Sequence, residues 1–169
     1  MKAVGLAVAL TCLGLGTRAQ EPPSPIGLWL TENQGGVIQI DRCDNALCGK
    51  IAGIVFDHPS DAMPLDYRGQ PQCGLTIVDH AASDGEGVWR GRITDPRNGT
   101  VYGAQLRLAG QDRLLLRGYL GVPLIGQTQI WTRYPGPLRA GCRLTPADVP
   151  HPGGGGAGEQ ASSTTRDAR

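Results

Sequence analysis

The chain has 169 residues, enough for one domain of ordinary size, with 16 basic against 15 acidic side chains. A near-neutral chain without a basic block argues against a nucleic-acid partner. The lysines are Lys2 and Lys50 alone, and the other basic residues are arginine.

Residues 1–19 read as a secretory signal. Lys2 gives a positive start, VGLAVALTCLGLG is a short apolar run, and Thr17-Arg18-Ala19 supplies small residues around a cut after Ala19, although Arg18 suits that site poorly. The apolar run is too short to cross a bilayer as a helix. Lipidation of Cys12 fits badly, because Ala9-Leu10-Thr11 precedes it. The expected location is therefore periplasmic or secreted, and the chain left after cleavage is close to neutral, losing Lys2 and Arg18.

Cys43, Cys48, Cys73 and Cys142 then remain. An even number in an exported chain implies two disulfides with three possible connectivities. Cys43 and Cys48 flank Asp44-Asn45-Ala46-Leu47 between two strand-like runs, which sets them across a hairpin; Cys73 with Cys142 follows by elimination. CxxC spacing is absent, so no metal site is expected of these thiols.

Residues 20–26 are a proline-rich lead-in. Gly27 to Thr31 is the first strand, Glu32 to Gly36 a turn, and Val37 to Cys43 with Cys48 to Phe56 the disulfide hairpin. Placing Cys43 opposite Cys48 puts Asp41 opposite Lys50, with Ile38, Ile40, Ile51 and Val55 on the core face. Asp57 to Gln72 is one long connection, and such connections are often lids or binding loops. Gly74 to His80 is the next strand.

Trp89 to Arg133 reads as four further strands joined by short turns. In DPRNG, Pro96 presets φ, Gly99 can take φ > 0, and the Asp95 carboxylate can bond the backbone two residues on. Trp89, Ile93, Tyr102, Leu106 and Leu108 alternate onto one face with Leu114, Leu116 and Leu120; Arg90, Arg92, Arg107 and Arg117 take the other. In the last strand Trp131 and Arg133 share a face with Gln127 and Gln129. Gly91, Gly103, Gly118 and Gly126 sit inside strands, where glycine marks the bends of a coiled sheet. Residues 134–169 read as a mostly disordered Pro/Gly-rich tail tethered by Cys142.

Eight short strands with almost no helix must dispose of two raw edges. A closed up-and-down antiparallel barrel over residues 27–133 does so, with a two-sheet sandwich as the alternative.

WLTENQGGVIQIDRCDNALCGKI, PQCGLTIV, VWRGRITDPRNGTVYGAQL and LRGYLGVPLIGQTQIWTR together resemble an uncharacterised bacterial exported family, domain of unknown function 2147. The likeness covers roughly Gly27 to Arg133 and rests on the CxxxxCG hairpin, the DPxxG turn, the RGYxG strand and the terminal WxR. It implies a small lipocalin-like barrel and carries no activity, cofactor or catalytic residue. Gly27-Leu28-Trp29 also resembles the Gly-x-Trp with which lipocalins open. Their arginine near the last strand lies beside that tryptophan, which here implies Arg133 over Trp29 and a closed barrel.

Chemistry is sparse. Asp57, His58, Asp61, Asp66, Asp79 and His80 have the oxygen and imidazole donors of a metal site but no matching spacing. Ser83 near His80 and Asp79 lacks a nucleophile elbow, so no enzyme is expected. An eight-stranded barrel either fills itself or holds one small ligand, and few aromatics are available to fill this one. The leading expectation is a small apolar or amphipathic ligand in a lumen lined by Trp89, Ile93, Tyr102, Leu106 and Leu116. The alternative is an envelope structural or interaction factor working through Arg90, Arg92, Arg107 and Arg117; a hydrolase built on the acidic loop comes third.

Overall fold

The computed structural model describes residues 23–150. The leader expected at 1–19 and the chain beyond 150 lie outside the described residues.

Eight antiparallel strands form the barrel: β1 (Gly27–Leu30), β2 (Gly36–Cys43), β3 (Ala46–Val55), β4 (Thr76–Ser83), β5 (Val88–Thr94), β6 (Val101–Leu108), β7 (Arg113–Tyr119) and β8 (Gly126–Arg133). Each pairs with its neighbour in sequence, and β1 pairs with β8, so Trp29 stands opposite Arg133 and Leu30 opposite Thr132. The sheet is a closed barrel and not two facing layers. The seam is short, two residue pairs at the Arg133 end of β8, and there it joins the two edges of the meander.

Turn chemistry fixes the connections. The DPRNG turn forms as expected: Asp95 Oδ1 accepts the Arg97 N–H at 2.9 Å, and Gly99 adopts φ 76°. Within strands, alternation sends Ile38, Ile40, Ile51, Val78, Ala104, Leu106, Leu114, Leu116 and Trp131 into one core inside the barrel.

Both expected disulfides are present, Cys43–Cys48 and Cys73–Cys142, each with Cα atoms 5.7 Å apart. The hairpin register differs from expectation by two residues. A tight turn at Asp44-Asn45, with Asp44 at φ 52°, sets Cys43 opposite Ala46 and Asp41 opposite Cys48, so Lys50 faces Gln39. The bridge therefore runs diagonally, a reach that side chains across an antiparallel pair possess. A register shift between Val37 and Ile38 switches the face presented by the β3 residues beyond Ile51. Ile54 accordingly packs with the interior core, while Val55, expected inside, packs outside with Leu30, Val37, Tyr134, Leu144 and Val149.

That outer cluster is the main departure from the sequence reading. Residues 134–150, expected to belong to a disordered tail, wrap back over the barrel. β9 (Arg143–Leu144) adds to β3 in parallel, and Tyr134, Leu144 and Val149 are buried. The segment also clamps the long connection. Cys142 bonds Cys73, the Arg143 guanidinium lies 4.3 Å from the Phe56 ring centroid, and it donates to the carbonyls of Pro59 and Asp61. The Arg139 guanidinium and the Thr145 N–H and hydroxyl bond the Asp148 carboxylate, which completes a capping box.

Candidate functional site: a lumen open at one end

The barrel has two unlike ends. At the end carrying the Asp44, Asp84 and Gly110 turns, the lead-in crosses the bottom. The Trp29 indole N–H donates to the Pro25 carbonyl at 2.7 Å, and the ring is fully buried. Arg133 lies over that ring at 3.8 Å and donates to the carbonyls of Ile26, Ser24 and Gln111 at 2.8–3.0 Å. Burial draws this guanidinium below its ordinary pKa, opposed by the charge of Asp112. Gly27 makes the approach possible, since at φ 130° a Cβ there would sit 2.7 Å from an Arg133 nitrogen. A stacked, partly buried cation of this kind contributes about 1 kcal/mol beyond its hydrogen bonds.

The other end is open. A cavity of about 830 Å³ enters between the loops after β1, β3, β5 and β7 and descends to Trp131. Ile38, Ile51, Ile77, Ile93 and Leu116 form apolar walls. Gln127, Gln129 and Tyr102 contribute polar groups, and Thr31, Asn33, Gln72, Asp95 and Arg97 stand at the mouth. The Trp131 indole N–H is satisfied by the Gln129 side-chain oxygen at 2.9 Å. Apolar walls with a few placed polar groups, at this volume, are the usual make-up of a small-molecule pocket. At the mouth the Asp95 carboxyl is held below the usual range, chiefly by Arg97, against a smaller opposing effect of burial.

Ile93, Tyr102 and Leu116, expected to line the lumen, do line this cavity; Trp89 and Leu106 do not. Alternation placed all five inside without giving their depth. Trp89 is the second residue of β5, at the closed end, and borders a separate pocket of about 90 Å³ with Ser24, Pro25, Ile26 and Leu47. Leu106 faces it across the β5–β6 pair and is fully buried. The residues missed were Ile38, Ile51 and Ile77 on the opposite wall and Gln127, Gln129 and Trp131 on β8. The signal for β8 was present, because the two glutamines share a face with Trp131.

The other candidate residues lie outside the cavity. On β4, the Asp79 carboxylate bonds both the His80 ring at 2.6 Å and Arg92 at 2.8 Å, and these contacts hold its pKa down. Cys48, Asp79 and His80 place potential donor atoms within 4.8 Å of one another, but the Cys48 sulfur is committed to the disulfide. Asp61 binds the His58 N–H, and Asp66 accepts from Arg68 and the Gln70 N–H. These groups close turns and do not converge in one cleft. Ser83 Oγ accepts the Gly85 N–H.

The arginine stripe does occupy the outer wall, yet much of it is engaged. Arg90 pairs with Asp84 and Arg92 with Asp79, and Arg117 folds onto the β7–β8 loop.

A closed eight-stranded meander, clasped at one end by Trp29 and Arg133 and hollow at the other, defines a lipocalin-like barrel. Protein HP1028 from Helicobacter pylori, described as belonging to the lipocalin family, matches with a TM-score of 0.57 at 13% identity, over 66% of this chain and 83% of that one. At that identity the likeness speaks for the fold. The chain belongs to the family described as uncharacterized protein conserved in bacteria (DUF2147), whose model matches residues 27–133. No match was found among curated proteins. Among the described residues no helix is long and apolar enough to cross a membrane. Two disulfides accord with an oxidising compartment.

Proposed function

We propose that this protein is an exported binder of a small apolar or amphipathic molecule, held in the barrel lumen. The observation that carries the reading is the 830 Å³ cavity, open to solvent and walled by isoleucine and leucine. A barrel selected only for its own stability would fill such a space, because each unfilled core methylene forfeits packing energy. An elongated amphiphile suits it best. Its chain would lie against Ile38, Ile51, Ile77 and Leu116, and its polar end would reach Gln72, Thr31 and Asn33 at the mouth. Export is supported by the two disulfides and by the leader read at residues 1–19.

Native mass spectrometry of protein purified without detergent tests the reading. One adduct of a few hundred daltons per chain is expected, exchangeable for an added long-chain fatty acid. Bare protein that also ignores the added fatty acid would count against it.

A further inference from the structure

The loop between β7 and β8 exposes more apolar surface than joining two strands requires. It runs Leu120-Gly121-Val122-Pro123-Leu124-Ile125 and turns its aliphatic side chains outward: Leu124 is 88% exposed, Ile125 76%, Leu120 62% and Val122 54%. Not one charged residue occurs from Gly118 to Trp131. Soluble surfaces carry scattered single apolar residues, but a contiguous exposed cluster marks a contact.

The backbone of the cluster is braced from below. Arg117 reaches under the loop, its Nε donating to the Pro123 carbonyl at 2.6 Å, one terminal nitrogen to the Leu124 carbonyl at 3.1 Å and the other to Thr128 Oγ1 at 2.9 Å. Proline at the start of the 3-10 turn stiffens the tip further. A braced apolar tip loses little conformational freedom when it is buried, so its exposure is maintained and not incidental.

Position identifies what covers it. Leu120, Leu124 and Ile125 are also lining residues of the cavity mouth, so the exposed surface runs without a break into the lumen. On the neighbouring loops the charged pairs turn their guanidinium groups outward: Arg97 and Arg68 are exposed, while their partners Asp95 and Asp66 lie behind them. A raised aliphatic tip beside outward arginines matches the interfacial layer of a phospholipid bilayer, where apolar side chains enter the acyl boundary and guanidinium groups meet phosphates. A second copy of the chain is the poorer fit. The tip offers an area on the order of a few hundred Å², well short of the roughly 800 Å² per partner of a stable interface.

We infer that the Leu120–Ile125 loop docks the barrel mouth-down on a phospholipid membrane surface, bringing the lumen into line with the bilayer from which an amphiphile is taken or to which it is delivered. Docking goes beyond lumen binding and does not require it.

The test is flotation of the exported protein with phosphatidylcholine vesicles, alongside the Leu124→Asp/Ile125→Asp double variant. Both side chains point to solvent, so the variant should fold, as its thermal transition will show. Wild type is expected to float with the vesicles and to remain bound in 0.5 M salt, as an apolar anchor does; the variant should partition at least tenfold more weakly. Wild type that stays with the protein fraction, or a variant that floats equally well, would overturn the inference. So would a wild-type dimer that the double substitution abolishes while vesicle binding is absent, which would make the tip a self-association surface. Gly118→Phe separates this inference from the lumen reading: it should hold ligand more weakly yet keep its hold on vesicles.

Discussion

The two ends of this barrel are built from one alternation of side chains and serve opposite purposes. At the closed end Trp29, Trp89, Leu106, Leu108 and Leu114 meet beneath the lead-in, and Arg133 ties the bottom to three backbone carbonyls. At the open end the inward positions hold smaller or more polar residues, Gly118, Gln127 and Gln129 among them, and the space they leave remains. A period of two assigns a residue to the inside of a barrel. Whether that inside is packed or hollow depends on depth along the strand and on which residues meet across it.

The contrast is broken most severely at its packed end. Trp29→Ala removes a fully buried indole, its hydrogen bond to Pro25 and the surface beneath Arg133. A loss of about 3–5 kcal/mol is expected from the cavity alone, read as a lower midpoint in urea unfolding. Severing the clamp on the open end should cost somewhat less overall and act locally. Cys73→Ser with Cys142→Ser opens a loop of 69 residues, an effect of about 4 kcal/mol in the chain-entropy account. The distinguishing readout is hydrogen exchange: amides of β9 and of the 56–75 connection should lose protection before those of β1 and β8.

Acid should sharpen the same comparison with a smaller effect. Asp148 titrates well below the usual carboxylate range, chiefly through Arg139 and then Thr145. Asp66 is also lowered: burial pushes it up, and hydrogen bonds from Gln70 and Arg68 outweigh that. A carboxylate whose folded pKa is depressed lends stability above its unfolded value, near 3.9, and loses it as pH falls through the folded one. From about pH 4 downward the 145–148 turn and the 65–70 turn should therefore open progressively, while the Trp29–Arg133 stack, which includes no carboxylate, persists. Protection of the Gln70 amide and the Trp29 indole proton, each referred to its free exchange rate at the same pH between 6 and 2, checks this; an equal loss of protection at both would show that the ends are not independent.

Much of this was legible in the sequence, for identifiable reasons. Short strands at hairpin spacing with apolar alternation left closure as the economical answer, and the resemblance of Gly-x-Trp with a late arginine to lipocalins implied the seam. The DPRNG turn declared itself through residues whose backbone preferences are strong. The β2–β3 register did not, because a disulfide constrains sulfur atoms to a range and not to one rung. The β9 segment was missed since its hydrogen bonds run to β3 and its anchors, Tyr134, Leu144 and Val149, are too widely spaced to show a period. Within the candidate site, Ile93, Tyr102 and Leu116 were found, whereas Trp89 and Leu106 were carried along by facing the same way. Nothing in a single strand reports its height above the barrel floor.

The central claim, that the lumen receives an amphiphile, is tested most directly at Trp131, which lines the cavity floor. Gly118 faces the same space, and a Cβ there would find no neighbour closer than 4.0 Å, so a Gly118→Phe side chain has room to enter and narrow the cavity. Titration with a brominated fatty acid should quench tryptophan fluorescence to saturation at one equivalent per chain in the wild type, and quench the Gly118→Phe protein markedly less at the same concentrations. Quenching of equal depth in both, or in neither, would contradict the account.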